Sequence, residues 1–176
     1  MYILSQILVV LSDIFCVMSM LSKRKKIVVF FLIISTIFFA LHYVCLGGWT
    51  GAIIGFIEIV FLILIYLLEK KNKTQYNSYL SVITMIITVI LSILTWDSWI
   101  SLLPMSAMLV YLFGMIFTNV IVVKTGTFIR LALNGLYMLM LKSYFGAGLT
   151  IVLLIFTIIG VINDCKNKQH NNLTSI

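Results

Sequence analysis

Two acidic residues, Asp13 and Glu58, lie inside long apolar stretches of the sequence. An ionisable side chain near the centre of a lipid bilayer costs about 2.5 to 3.5 kcal/mol on insertion scales, so it must face a partner, a cavity or a protein interior. Counted along helices that rise about 1.5 Å per residue, Asp13 lies about 14 Å and Glu58 about 15 Å from the inner ends of their predicted helices. The two carboxyl groups can therefore share one depth.

Both carboxyl groups are predicted to face the protein interior. Serines and a cysteine recur near Asp13 on the first helix, while Gly51, Gly55 and Glu58 are spaced i, i+4 and i+7 and let another helix approach closely. The sequence predicts no lysine or arginine at this depth. We therefore expect one carboxyl group to be protonated, or a cation or a cationic group of a ligand to lie between the two. A structural hydrogen bond to serine or backbone is the alternative for each.

Polar and aromatic side chains also form stripes on the second and sixth predicted helices. A shift of 95 positions maps Ser35 onto Arg130, Phe39 onto Asn134 and His42 onto Tyr137. Packed about a pseudo-two-fold axis, the two stripes would line a shared cavity with aromatic walls and a few polar contacts, as small-molecule sites do. The residues predicted to bind a substrate are Asp13, His42, Glu58, Asn134 and Tyr137.

These polar residues also have structural interpretations. His42 lies only about 6 Å from the outer end of its helix, so a water-exposed histidine at the rim is the alternative. Asn119 and Asn134 can equally form hydrogen bonds between helices. Pro104 opens one face of the fifth helix and is a candidate gating kink, although prolines near a helix start often reflect local geometry alone.

Motifs for catalysis are absent from the sequence. It contains no HExxH, no paired histidine and cysteine cluster, no glycine-rich phosphate loop and no serine, histidine and acid at a recognisable spacing. Cys16, Cys45 and Cys165 are odd in number and lack CxxC spacing, so we interpret them as packing thiols. We predict no enzymatic activity, no cofactor and no metal site.

The composition requires that lipid surround these residues. Hydrophobic residues make up 62% and charged residues 10% of the 176 positions, against roughly 25% charged in soluble domains. If this chain were folded in water, it would lack the polar residues needed to cover its surface. The net charge of +7 lies in short clusters between apolar runs, so we predict the bilayer as the partner and no nucleic acid.

Apolar runs of about 20 residues, with a single proline, predict an all-α membrane protein. There are seven runs. They cover Tyr2 to Ser22, Ile27 to Leu46, Thr50 to Leu68, Ser78 to Thr95, Trp99 to Val123, Phe128 to Leu141 and Ala147 to Ile162.

The positions of lysine and arginine predict how these helices are threaded. Cationic residues gather on the cytosolic side of membrane proteins. With the N-terminus outside and the C-terminus inside, eleven of the twelve cationic residues, including Lys124 and Arg130, fall on the cytosolic side and only Lys142 falls outside. Trp49, Trp96 and Trp99 then lie at outer helix ends as interfacial anchors.

The shift of 95 positions also lays helices one to three over helices five to seven, which predicts an internal repeat. Two three-helix units joined by one extra helix must run parallel, because the linker helix returns the chain to its starting side. We divide the chain into a first unit at 1–69, a linker helix with its loops at 70–98, a second unit at 99–162 and a polar cytosolic tail at 163–176.

This plan of three, one and three helices is similar to that of the SWEET sugar transporters and the PnuC vitamin transporters. The chain more closely resembles the bacterial inner-membrane YgjV family, in the segment from His42 to Gly47 with Trp49, in the Leu102-Leu103-Pro104 opening of the fifth helix, and in Ser143 to Gly146. Asn134-Gly135 departs from the bulkier residues expected there. The resemblance implies a multi-pass protein of the bacterial inner membrane and carries no activity.

Two functions are compatible with these features. The first is a small-solute transporter or facilitator with a site near the midplane between the two units. The second is a non-transporting membrane sensor or assembly partner, which would have a dry, tightly packed centre. A small-molecule ligand is expected for the first, and a homodimer is compatible with the sequence but not indicated by it.

Overall fold

The computed structural model describes residues 2–71, 73–96, 98–117 and 119–173. Within these residues the chain forms seven α-helices and no strand, which confirms the all-α prediction. Two short 3-10 helices, Thr74–Tyr76 and Trp99–Ser101, precede the fourth and fifth helices. The helices are α1 Tyr2–Leu21, α2 Lys25–Leu46, α3 Trp49–Lys70, α4 Asn77–Leu94, α5 Leu102–Ile116, α6 Val120–Met140 and α7 Tyr144–Leu173.

Six segments of the described residues are helical, long and apolar enough to cross a membrane: Ile3–Leu21, Lys25–Leu46, Trp49–Lys70, Thr74–Leu94, Trp99–Ile116 and Tyr144–Asn163. The remaining helix, α6, is 21 residues long but carries Lys124, Arg130 and Asn134. All three of these side chains are buried. The chain therefore has the helices of a multi-pass membrane protein, and these three polar side chains of α6 face the interior.

Small polar residues face the inside of the helix bundle beside its apolar core, and large apolar residues cover its outside, as a hydrocarbon solvent requires. On α4 the small polar residues Ser81, Thr84, Thr88 and Ser92 are buried, while large apolar residues such as Ile86 and Leu94 are exposed. The Thr84 and Thr88 hydroxyls donate to the carbonyls of Leu80 and Thr84, one turn earlier in the helix. Small residues of this kind let neighbouring helices pack closely in lipid.

The boundary between α5 and α6 differs from the prediction. The sequence places a fifth helix through Val123 and a short sixth helix from Phe128, whereas α5 ends at Ile116 and α6 begins at Val120. Asn119 marks the break, because its side-chain oxygen accepts a hydrogen bond from the Ile121 N–H at 3.0 Å and caps α6. Asn119 is thus the N-cap of α6, a role that the sequence analysis does not assign to it.

The last helix is also longer than predicted. The sequence indicates a polar tail from Asn163, but α7 continues through Leu173. Residues 174–176 of the predicted tail lie outside the described residues. The helix therefore continues eleven residues beyond Ile162, the end of the predicted apolar run.

The helices close into a ring. Consecutive helices pack on one another from α1 to α3 and from α5 to α7, α3 meets α5, and α7 returns to α1; α4 packs on α3 and α5. Glycines allow two of the closest approaches: a Cβ built on Gly55 would lie 2.9 Å from the Ala40 Cβ, and one on Gly126 would lie 3.5 Å from the Gly114 Cα. The ring brings α1, α2, α3 and α6 together around the buried charges.

Candidate functional site

Glu58 of α3 and Arg130 of α6 form a buried ion pair in which an Arg130 Nη donates to Glu58 Oε1. Both residues are only 6% exposed. Arg130 is the eleventh of the 21 residues of α6, about 15 Å from either end of that helix. The pair therefore lies near the middle of the bundle and joins the first three helices to the last three.

The pair has further contacts on both sides. The Thr36 hydroxyl donates to Glu58 Oε1 at 3.4 Å, and the Arg130 guanidinium lies over the Tyr111 ring, 4.7 Å from its centroid. This is the geometry of a cation–π contact. Among the described residues, Arg130 Nε and the Tyr111 hydroxyl have no hydrogen-bond partner. The two charges are thus paired, but these two polar groups beside them can still form hydrogen bonds.

This pair corrects the prediction that no cationic residue lies at the depth of the two carboxyl groups. The sequence assigns Arg130 to the cytosolic end of a short helix, together with Lys124. Because α6 begins at Val120, ten residues before Arg130, the arginine lies in mid-helix and Lys124 is buried in the second turn. The 95-position shift, which places Arg130 on the inward stripe with Asn134, is the sequence signal that could have found it.

Two small cavities flank Arg130. One, of about 20 Å³, is lined by residues including Glu58, Arg130, Asn134, Pro104 and Tyr43. The other, of about 10 Å³, is lined by residues including Asp13, Ser12, Ser35, Thr36 and Arg130. A cavity needs a volume of about 10 to 15 Å³ to hold a water molecule. The first cavity thus holds about one water molecule, and neither holds an organic solute in this closed arrangement.

Asp13 lies on the second cavity and does not meet Glu58. It is 9% exposed, and its Oδ2 has no hydrogen-bond partner among the described residues. Beside it, the Ser12 hydroxyl is occupied, since it donates to the Ser35 carbonyl at 2.9 Å. The two carboxyl groups are therefore buried as predicted, but each lines its own cavity with Arg130 common to both.

Asn134 and Pro104 lie on the cavity of Glu58. Asn134 is buried one turn after Arg130 on α6. Pro104 is the third residue of α5, where the backbone N–H that proline lacks would have no helical partner in any case. The proline therefore fits the start of α5 without a kink, and its gating role stays a prediction.

His42 is fully buried, which excludes the water-exposed position considered for it. Its Nδ1 lies 2.8 Å from the Ser5 carbonyl oxygen and 2.9 Å from the Ser5 hydroxyl. A ring nitrogen facing a carbonyl oxygen must carry the proton, so His42 donates from Nδ1. It lines neither small cavity. His42 therefore joins α2 to α1 within the first three helices.

Tyr137 forms an aromatic wall beside the cavity of Glu58. Its ring meets that of Tyr43 edge to face at 5.3 Å between centroids. A Cβ built on Gly51 would lie 2.7 Å from the Tyr137 ring and 3.1 Å from that of Tyr43. Both rings therefore pack directly on the α3 backbone and close the bundle on the side where α3 begins.

A second polar cluster lies at the opposite end of α3, and sequence reasoning did not identify it. Lys25 Nζ lies 3.0 Å from Glu69 Oε1, the same oxygen that accepts from Asn77 Nδ2 at 3.0 Å. Lys25 also donates to the Phe117 carbonyl at 3.5 Å. The cluster ties α2, α3 and α4 to the connection between α5 and α6, so it closes the bundle at this end.

Comparison with known proteins gives one match. The model of a family described as Imp-YgjV, bacterial inner membrane protein, matches residues 3–168. No curated protein and no solved structure matches the chain.

Proposed function

This chain belongs to the Imp-YgjV family of bacterial inner membrane proteins, and we propose that it is a small-solute transporter or facilitator with its site between two three-helix units. The Glu58–Arg130 pair is the observation that carries this proposal. Burying two charges costs several kcal/mol each before their attraction is counted, and apolar residues of similar volume are often as stable. Charged groups inside a membrane protein typically mark a pathway for a solute or ion.

The ends of the helices support two repeated units. A shift of 95 positions moves the last residue of α1, Leu21, onto the last residue of α5, Ile116. It moves Lys25, where α2 begins, onto Val120, where α6 begins. The start of α3 likewise falls on Tyr144, the start of α7. The packing agrees, because the α3–α5 and α7–α1 contacts are equivalent under this shift.

The two cavities are also related by the shift. The shift maps Asp13 onto Met108 and Glu58 onto Leu153. Asp13 and Leu153 line one cavity, and Met108 and Glu58 line the other. Each cavity thus has one carboxyl group and one apolar residue, at exchanged positions. A centre built in this way suits a solute that interacts with both units, as in transporters with internal repeats.

We propose that the N-terminus lies outside and the C-terminus in the cytosol. With Lys124 and Arg130 buried in α6, ten cationic residues remain in the sequence outside it, and nine of these fall on one side in this threading. A membrane-impermeant thiol reagent added to intact cells is expected to label Ser98→Cys and to miss Lys70→Cys in a variant without native cysteines. Labelling with the opposite preference would refute this orientation.

The transport proposal predicts that the central cavity opens to each side of the membrane. We expect Asn134→Cys, in the same background, to react with impermeant thiol reagents applied from either face of oriented membrane vesicles. Leu62→Cys is the matched control, because Leu62 is fully buried and lines neither small cavity. The control is expected to stay unlabelled from both faces.

The small size of the cavities favours a second function, a non-transporting sensor or assembly partner. A centre that holds about one water molecule is what a static structural core would contain. In that case Asn134→Cys should resist labelling from both faces, as Leu62→Cys does. Such a result would reject transport and favour the second function.

A further inference from the structure

The charges at the centre of the bundle do not cancel. Asp13, Glu58 and Arg130 would together carry one negative charge if all three were ionised. Lys124, the other buried cation of α6, lies beside Gly160 of α7 and lines neither small cavity, so it is not counted in this balance. Arg130 is bound to Glu58, which leaves the carboxyl group of Asp13 as the uncompensated one. An isolated buried charge costs far more than a paired one, so a neutralising partner is required at Asp13.

The surroundings of Asp13 identify the kind of partner that fits. Its Oδ2 has no hydrogen-bond partner among the described residues. The Asp13 side chain lines a cavity of about 10 Å³. This volume excludes an organic cation and admits a proton or a bare metal cation. Hydroxyl groups of Ser12, Ser35 and Thr36 line the same cavity, and such oxygens are suitable ligands for a hard cation.

Every helix packed around the cavity contributes to this balance. The ionisable groups that line it are Asp13 itself, Cys16 on the same helix, and Arg130 from α6; α2 contributes hydroxyl groups and α7 contributes Leu153. His42 bonds to Ser5 and lines neither cavity. Arg130 is therefore the one fixed cation on this cavity among the described residues, and it is already bound to Glu58.

We propose that Asp13 is the binding site of one exchangeable monovalent cation, a proton or sodium, whose binding compensates the charge excess of Asp13, Glu58 and Arg130. The role of this cation as an ion coupled to solute movement rests on the proposed transport function. The binding site itself depends only on the charge balance, so it can exist in a protein that transports nothing.

The test uses the full chain in lipid nanodiscs and needs no substrate. If the occupant is a proton, wild-type protein is expected to show the infrared C=O stretch of a protonated carboxyl group, which titrates with pH. If it is sodium, radiolabelled sodium is expected to bind at one ion per chain. In Asp13→Asn the infrared band should be lost if the occupant is a proton. If the occupant is sodium, its affinity should fall at least about tenfold, which is about 1.4 kcal/mol.

The charge balance predicts further variants that a merely structural carboxyl group would not. Glu58→Gln removes one of the two negative charges and releases Arg130, so it should abolish the signal although Asp13 is intact. Glu69→Gln is the matched control, because Glu69 is paired with Lys25 at the helix ends, and it should keep the signal.

Three results would overturn the proposal. One is the absence of both signals in a folded wild-type protein, as judged by its circular dichroism. Another is a carboxyl band that does not change over the pH range in which the protein stays folded. The third is a signal that survives Asp13→Asn. None of these depends on whether Asn134→Cys is labelled from both faces, so failure of the cation site and failure of the transport proposal can be told apart.

Discussion

Replacing Glu58 by glutamine is expected to lower the free energy of unfolding by about 3 kcal/mol, because it removes the carboxylate to which the buried Arg130 guanidinium is bound. Arg130→Gln is expected to cost about as much for the converse reason. Both side chains are at the centre of the bundle, and the cavity beside them has room for only about one water molecule, so water replaces the lost partner only in part. These are larger effects than those of most single substitutions, which lie at about 0.5 to 3 kcal/mol.

The double variant separates the ion pair from the two residues taken singly. In E58Q/R130Q neither member of the pair is left as a buried charge without its partner, so the double variant should cost less than the sum of the single variants by about 2 kcal/mol or more. Unfolding of the detergent-solubilised protein by increasing fractions of dodecyl sulfate, followed by circular dichroism, gives the three free energies. Additive costs would show that the two side chains do not interact.

The cluster at the other end of α3 provides a matched cycle. Lys25 and Glu69 form an ion pair of similar burial, with side chains 9% and 13% exposed against 7% and 8% in the central pair. Each of them has a further polar partner, because Glu69 also accepts from Asn77 and Lys25 also donates to the Phe117 carbonyl. Removing one member therefore leaves the other hydrogen-bonded, so we expect the K25Q and E69Q cycle to give a smaller coupling than that of Glu58 and Arg130. A coupling as large as that of the central pair would mean that these further partners do not offset the loss of the charge.

The sequence predicts well the features that depend on hydrocarbon as the solvent. Apolar runs fix α1 to α4 to within two residues at most ends, since each helix needs a length and composition that lipid alone dictates. The inward position of Asp13 and Glu58 follows from the same physics, because a carboxyl group in lipid must be covered. Both are buried.

Features that depend on one partner across the bundle are not predictable in this way. An analysis by hydropathy expects arginine at the boundary with water, so it assigns Arg130 to a helix end. The pairing of Arg130 with Glu58 becomes visible only when α3 and α6 are packed together. His42 is a similar case, because its burial depends on Ser5, which lies 37 positions away in the sequence. The N-cap at Asn119 is not predicted because the two polar residues Thr118 and Asn119, between two apolar segments, fit a helix interior and a helix start equally well.

The closest backbone approach between the two ends of the chain gives the second large effect. A Cβ built on Gly160 of α7 would lie 2.7 Å from the Met20 carbonyl oxygen of α1. Because that neighbour is backbone, it cannot rotate away as a side chain could, and α1 and α7 would have to separate. Gly160→Ala is therefore expected to lower the free energy of unfolding by about 1 to 3 kcal/mol, the usual cost of overpacking.

Gly148 offers a matched control on the same helix. It is exposed, and nothing lies within 4 Å of a Cβ at that position, so Gly148→Ala should be neutral or stabilising by up to about 1 kcal/mol through helix propensity. The two substitutions are chemically identical and differ in the α1–α7 contact, so the same unfolding measurement should show a loss of stability for Gly160→Ala and none for Gly148→Ala. Equal effects would mean that α7 does not pack against α1 at Met20. That outcome would also remove the α7–α1 contact that closes the ring and matches the α3–α5 contact under the 95-position shift.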